Sequence, residues 1–179
     1  MEDLFVSTVN ALKIVGLSVL GAVVYGMLHD QVTVQICPEY FTVGHRPVFG
    51  EQSPVMLAML WGLRASFWAG LILGTGLALS ATVGATAQYT AVLLLRPVLL
   101  LLLSMACCAL IAGMAGFYLA NVHAVGLDHY WSSRIAIDKQ PRYLACGFAH
   151  NASYLVGFFG GSILIRRTWM SRHKQRSIG

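Results

Sequence analysis

Four long apolar runs separated by polar connections set the pattern of this chain. The first extends from Ala11 to about Leu28, with Lys13 its only charge. The second covers Val55 to about Leu79, the third Thr90 to about Ala120, and the fourth Cys146 to Ile165. Each reaches, or comes within a few residues of, the roughly 20 that a helix needs to cross hydrocarbon. The pattern predicts an all-α four-helix transmembrane bundle, residues 1–179 forming one integral membrane domain. The first run is too long and too weakly basic at its start for a cleaved signal peptide. It is read as a retained span.

Small residues add a packing prediction. Gly62, Ser66, Gly70, Gly74 and Ala78 recur every four residues in the second run, and Ser153, Gly157 and Gly161 do so in the fourth. That spacing draws a stripe of small side chains along one helix face, the pattern that lets membrane helices approach closely. Such stripes suit packing within the bundle, a second copy, or another membrane subunit.

The connections differ in kind. Residues 29–54 are polar and carry Pro38, Pro47 and Pro54, which interrupt a continuous helix. Residues 80–89 make a short uncharged turn, and residues 121–145 form a second polar connection.

Composition agrees with this picture. Hydrophobic residues make up 57% of the 179 and charged ones only 11%, against about 25% charged in a soluble domain. The net charge of +5 is local. Arg166, Arg167, Arg172, Lys174 and Arg176 follow the fourth run without an acid among them. A basic tail directly after an apolar helix marks the cytoplasmic side rather than a nucleic-acid site. With Lys13 and Arg96 it places seven basic residues on one side, against Arg46, Arg134, Lys139 and Arg142 in the two long connections. The positive-inside rule then puts both termini in the cytoplasm and both long connections outside. A multi-pass protein of a bacterial inner (plasma) membrane is expected, with the lipid bilayer as its first partner.

This topology gathers the unusual residues at the outer ends of the helices. Tyr25, His29 and Asp30 come from the first span, and Trp61 and Arg64 from the second. Asn121 and His123 come from the third, and His150, Asn151 and Tyr154 from the fourth. Histidine and carboxylate side chains together suit zinc, iron or manganese, and a four-helix bundle can offer them inward from facing helices. His29, Glu39 and His150 are the leading metal-ligand candidates. Asp30, His45 and His123 follow, and Asp128 and His129 are weaker because adjacent residues point apart on a helix. Tyr25, Arg64, Asn121, Asn151 and Tyr154 are expected in a supporting polar network. Arg64 either pairs with Asp30 or Glu39 or snorkels beside Trp61.

No metalloprotease motif, nucleophile elbow, phosphate loop or dinucleotide fingerprint occurs, so no reaction is assigned. His29 and His150 could alternatively clamp a haem from opposite faces. Cys107 and Cys108 lie in an apolar run. Cys37 and Cys146, near the connections, are read as buried thiols, with a disulfide the alternative in an oxidising compartment.

The segments His29-Asp30-Gln31-Val32-Thr33, Pro38-Glu39-Tyr40-Phe41-Thr42-Val43-Gly44-His45 and Ala149-His150-Asn151-Ala152-Ser153-Tyr154 resemble an uncharacterised family of bacterial four-span integral membrane proteins. The resemblance implies location and architecture and carries no catalytic role. Three classes of function stay open: a membrane metalloprotein or metalloenzyme, an accessory or transport-complex subunit whose polar cluster is structural, and a haem or quinone electron-transfer protein.

Overall fold

The computed structural model describes residues 2–51, 53–84 and 89–176, which form the helices α1 (Glu2–Ile36), α2 (Glu39–Thr42), α3 (Pro54–Thr82), α4 (Ala91–Asn121), α5 (His129–Ser132) and α6 (Gln140–Arg176). The four long helices contain segments long and apolar enough to cross a membrane: Phe5–Ile36, Pro54–Thr82, Ala91–Asn121 and Gln140–Arg172. They pack as a bundle in the cyclic order α1, α3, α6, α4, with the hairpin pairs α1–α3 and α4–α6 antiparallel and the pairs α3–α6 and α1–α4 parallel. The short helices α2 and α5 belong to the two long connections, which lie together at one end. The start of α1, the end of α6 and the adjoining ends of α3 and α4 lie at the other.

The helix boundaries follow local chemistry. Helix α1 continues past its expected end at Leu28 as far as Ile36, because residues 29–36 contain neither glycine nor proline. Pro38 then stops it, since the residue before a proline is disfavoured in helical geometry. Helix α3 begins with Pro54 in its first turn, where the missing N–H costs nothing. The Thr90 hydroxyl caps α4 by accepting from the Leu93 N–H at 3.4 Å. Helix α6 starts at Gln140, six residues before the expected Cys146, and carries on past Ile165 into the basic tail.

Glycine sets the tightest helix pair. A Cβ added to Gly62 would lie 2.8 Å from the Gly26 carbonyl oxygen and 2.9 Å from the Met27 Cα. At Gly70 it would lie 2.8 Å from the Val19 Cα, and at Gly74 2.7 Å from the Ser18 Cβ. The four-residue stripe of α3 is therefore spent on α1. In the other hairpin Gly116 admits the Phe148 ring, whose Cγ would be 2.7 Å from a Cβ there. The stripe of α6 meets Met105 through Gly157 and Leu73 through Gly161.

The terminal end is sealed by apolar packing and two polar clamps. Ile14, Leu77, Ala78, Ala81, Leu94 and Val98 form its core. The Asn10 amide donates to the Tyr89 carbonyl at 2.7 Å and accepts from the Ala91 N–H at 3.3 Å. Arg172 is fully buried, and its guanidinium donates to the carbonyls of Ser80 at 2.8 Å and Val83 at 3.0 Å. A cation on the last carbonyls of α3 satisfies acceptors that the helix itself leaves unpaired.

The outward surface of the bundle is apolar. Leu20, Leu28, Ile72, Leu103, Ile111 and Phe158 are among many large side chains more than half exposed. Leucine, isoleucine and phenylalanine on an outer face are compatible with hydrocarbon as solvent, in which the helices satisfy their own backbone groups.

The Gly26–Gly62 contact gives a direct test. Gly62→Leu should lower stability in detergent by about 1–3 kcal/mol, the usual cost of overpacking a close contact. Gly16→Leu, at a position with nothing within 4 Å of an added Cβ, should be near neutral. Thermal unfolding followed by circular dichroism reads both. Equal unfolding temperatures for the two variants would remove the close-contact account.

Candidate functional site

The buried stripe that builds the site runs down the last turns of α1. Asp30, Thr33, Val34 and Cys37 are 7%, 3%, 2% and 1% exposed. Their spacing is i, i+3, i+4 and i+7, the inward face of a helix. That signal was present in the sequence, and it requires reading residues 29–37 as helix rather than as connection. Asp30 thereby points into the bundle among apolar neighbours.

Its partner comes from the diagonally opposite helix. His150 of α6, 4% exposed, places Nε2 3.0 Å from the Asp30 Oδ1. Its Nδ1 lies 2.9 Å from the carbonyl oxygen of Cys146, one turn earlier on the same helix. A carbonyl only accepts, so Nδ1 carries a hydrogen. One further proton lies between Nε2 and the carboxylate, and both groups are satisfied whichever of them holds it.

His29 completes the group. Its Nε2 lies 3.4 Å from the His150 Nδ1, and the two rings meet edge to face with centroids 4.5 Å apart. Ligand atoms from His29, Asp30 and His150 all fall within 4.8 Å of one another. His29 is half-buried, whereas the other two are buried. Two imidazoles and a carboxylate make a group that could hold a metal ion. The carbonyl held by His150 Nδ1 is the kind of second partner that fixes a metal-binding imidazole in one tautomer. The same contact leaves no slot for a porphyrin between His29 and His150, because the two rings already touch.

One flank of the group is formed by hydroxyls on the bundle axis. The Tyr25 phenol hydrogen-bonds the Ser153 hydroxyl at 2.6 Å, and the Tyr25 and His29 rings stack with centroids 5.7 Å apart. The other flank is the folded-back first connection. Phe41 of α2 is fully buried, with its ring centroid 6.2 Å from that of His150. The Tyr40 ring lies 4.6 Å from the same imidazole. Val48 and Leu57 complete the apolar cluster beneath this connection.

Glu39 lies outside the group formed by His29, Asp30 and His150. It faces the second connection, where its carboxylate pairs with Lys139 and accepts from the Cys37 thiol at 3.4 Å. Asp30, ranked behind it on sequence, supplies the carboxylate instead. Burial alone would raise Glu39, but the hydrogen bonds from Lys139, from its own backbone N–H and from Cys37 hold it below its ordinary value. The pairing raises Lys139 in turn, first through the hydrogen bond. Burial, and then the hydrogen bond to Glu39, pushes the Cys37 thiol up to about 11. Cys37 and Cys146 share one apolar cluster with Ile135 and Tyr143, and both are free thiols.

The remaining candidates fall outside the group. His45 packs on the Phe41 ring, with its Nδ1 2.7 Å from the Tyr40 carbonyl, and burial lowers its basicity. His123 is exposed in the turn after α4, and the Asn121 amide donates to the Phe117 carbonyl of its own helix. Asp128 caps α5 through the Trp131 N–H, and His129 is exposed. Tyr154 approaches His150 only at a ring separation of 6.2 Å, and Asn151 faces outward. Arg64 pairs with no carboxylate among the described residues. Its guanidinium lies 5.4 Å from the centroid of the Trp61 ring, the snorkelling alternative.

Comparison with known protein families, with curated proteins and with solved structures finds no match to this chain.

The Glu39–Lys139 pair joins the two long connections and should show a defined pH window. Glu39 is lowered, so its contribution is complete above the ordinary glutamate value of 4.5 and fades as pH falls through the folded-state value. Lys139 is raised, so its contribution is complete below 10.5 and fades as pH rises further. The small difference in thermal midpoint between wild type and Lys139→Gln should be constant between those limits and shrink on either side. A difference that persists undiminished at low pH would exclude the ion pair as its source.

Proposed function

We propose that this is an integral membrane protein that binds a divalent transition metal through His29, Asp30 and His150, on the extracytoplasmic side of a bacterial inner membrane. The observation that supports it is the convergence of two imidazoles and a carboxylate from opposite helices, buried where an ionised group costs about 3 kcal/mol or more unless compensated. The run of basic residues from Arg166 to Arg176, in the last turns of α6, supports the orientation.

Metal binding would replace the proton shared by His150 and Asp30, so it would release that proton to solvent. Tyr25 and Ser153 would support the ligand shell by holding the His29 ring in place. An ion with three protein ligands keeps an open position for water or a substrate. The reaction performed there, if catalysis occurs, is set by that fourth ligand and by the metal.

A second reading is a structural one, favoured by the fact that both ring nitrogens of His150 already have protein partners. Here the His150–Asp30 bond pins α6 to α1, and the protein is an accessory or transport-complex subunit. Hydrogen bonds between membrane helices contribute on the order of 1–2 kcal/mol.

Elemental analysis of purified protein, before and after loading with zinc, iron(II) or manganese(II) and removal of excess metal, separates the two. The metal reading expects about one equivalent retained by wild type. Asp30→Asn and His150→Ala should each lose at least about 100-fold in affinity, more than the loss of an outer partner costs. Glu39→Gln should retain the metal. No retained metal, together with a lowered unfolding temperature for His150→Ala, would establish the structural reading instead.

A further inference from the structure

Beside the site lies a groove of about 680 Å³ between α1, α4 and α6, within the range of small-molecule sites. Its origin is a divergence of two helices. Near the terminal end α1 touches α4, with Ile14 against Leu94 and Gly21 facing Val98 and Leu102. Beyond that level α1 stays close to α3 through Gly26 and Gly62, while Gly113 and Gly116 keep α4 on α6. The space between α1 and α4 is left open, and its floor is made by small side chains such as Ala106, Ala109, Ala145 and Ala149.

The dimensions and charge of the groove define an occupant. It runs from Tyr25 to Ile36 on α1 and from Ala106 to Phe117 on α4, about 16 Å along each helix at 1.5 Å per residue. That is close to half of a hydrocarbon core of about 30 Å, the depth of one leaflet. The lining is mostly apolar, with Tyr25, His29 and Thr33 on its α1 wall. Two polar side chains stand at its outer mouth: Gln35, whose amide lies at the end of α1, and Arg142, in the first turn of α6. The Arg142 guanidinium is exposed and has no hydrogen-bond or ion-pair partner among the described residues. His29 forms part of the wall lower down.

We propose that this groove holds one acyl chain of an anionic phospholipid, with the phosphate at Arg142 and the chain passing the His29 edge of the site. The proposal rests on the membrane-spanning reading above and is independent of metal. A planar guanidinium is a strong phosphate partner, and an apolar slot one leaflet deep matches a lipid tail in length and chemistry. The lipid is thereby a bound ligand of the site's open side, distinct from the lipid that surrounds any membrane helix.

The test uses full-length protein in nanodiscs of phosphatidylglycerol and phosphatidylcholine, released into the gas phase for native mass spectrometry. Wild type should retain one phosphatidylglycerol under activation that strips the remaining lipid. Arg142→Gln should reduce the preference for phosphatidylglycerol over phosphatidylcholine about fivefold, the effect of one basic side chain at a lipid surface. Ala106→Phe, at an exposed groove position, should abolish retention while leaving helix content unchanged. A photoactivatable acyl chain should label residues 25–36 and 106–117 in preference to the outer faces of α3 and α6.

Insertion into nanodiscs with no retained lipid and even labelling of all helices would overturn the groove while leaving the membrane reading intact. Equal retention of both lipids by wild type and Arg142→Gln would overturn the phosphate contact. Retention of a neutral isoprenoid quinone in place of phospholipid would overturn the choice of occupant. Failure to enter nanodiscs at all would overturn the membrane reading itself.

Discussion

A carboxylate inside an apolar bundle is the constraint around which the connection end is organised. Asp30 has no lysine or arginine partner among the described residues, and its exposed fraction is 7%. Apolar side chains cannot solvate it, so a polar partner must. His150 does so at 3.0 Å and is itself held by the Cys146 carbonyl. That carbonyl lies in a helix and has a second lone pair to offer. The rings of Tyr40 and Phe41 close over the imidazole. The folded-back first connection thus encloses the Asp30–His150 pair, and it brings the short helix α2 onto the bundle.

The four long helices were legible because an apolar run of bilayer length has few alternatives. The small-residue stripe of the second span was equally legible as a contact face, and the structure directs it to α1 through Gly62, Gly70 and Gly74. The meeting of His29 with His150 could be anticipated from their common level. The choice of carboxylate could not be read as easily. Treating residues 29–54 as a connection removed the helical phase that turns Asp30 inward. Glu39 was displaced by Lys139, a partner 100 residues away, and no local pattern announces such a contact. The groove was invisible for a related reason, since it comes from the divergence of α1 from α4 rather than from any motif.

The two ends of the bundle divide its tasks. At the terminal end Arg172 and Asn10 tie turns to helix ends, and a continuous apolar cluster fills the interior. At the connection end α1 cannot lie against both of its neighbours. Contact through paired glycines draws it to α3, where backbones approach most closely, and the side toward α4 opens. Packing energy is concentrated in the two hairpins, and the gap falls between them. The polar group sits at the crossing of the hairpins, where α1 and α6 meet across the diagonal.

The direction of access follows from burial. Asp30 and His150 are enclosed, and the aqueous side above them is covered by Tyr40 and the fully buried Phe41. His29 is the half-buried member, and it is the one that lines the groove. The open edge of the group therefore faces sideways, toward what would be lipid, rather than along the bundle toward water. The first connection is held over the group by Val48 and Phe41, which pack on α3 and α1. The Asp30–His150 pair itself does not line the groove, and His29 is the member of the group that does.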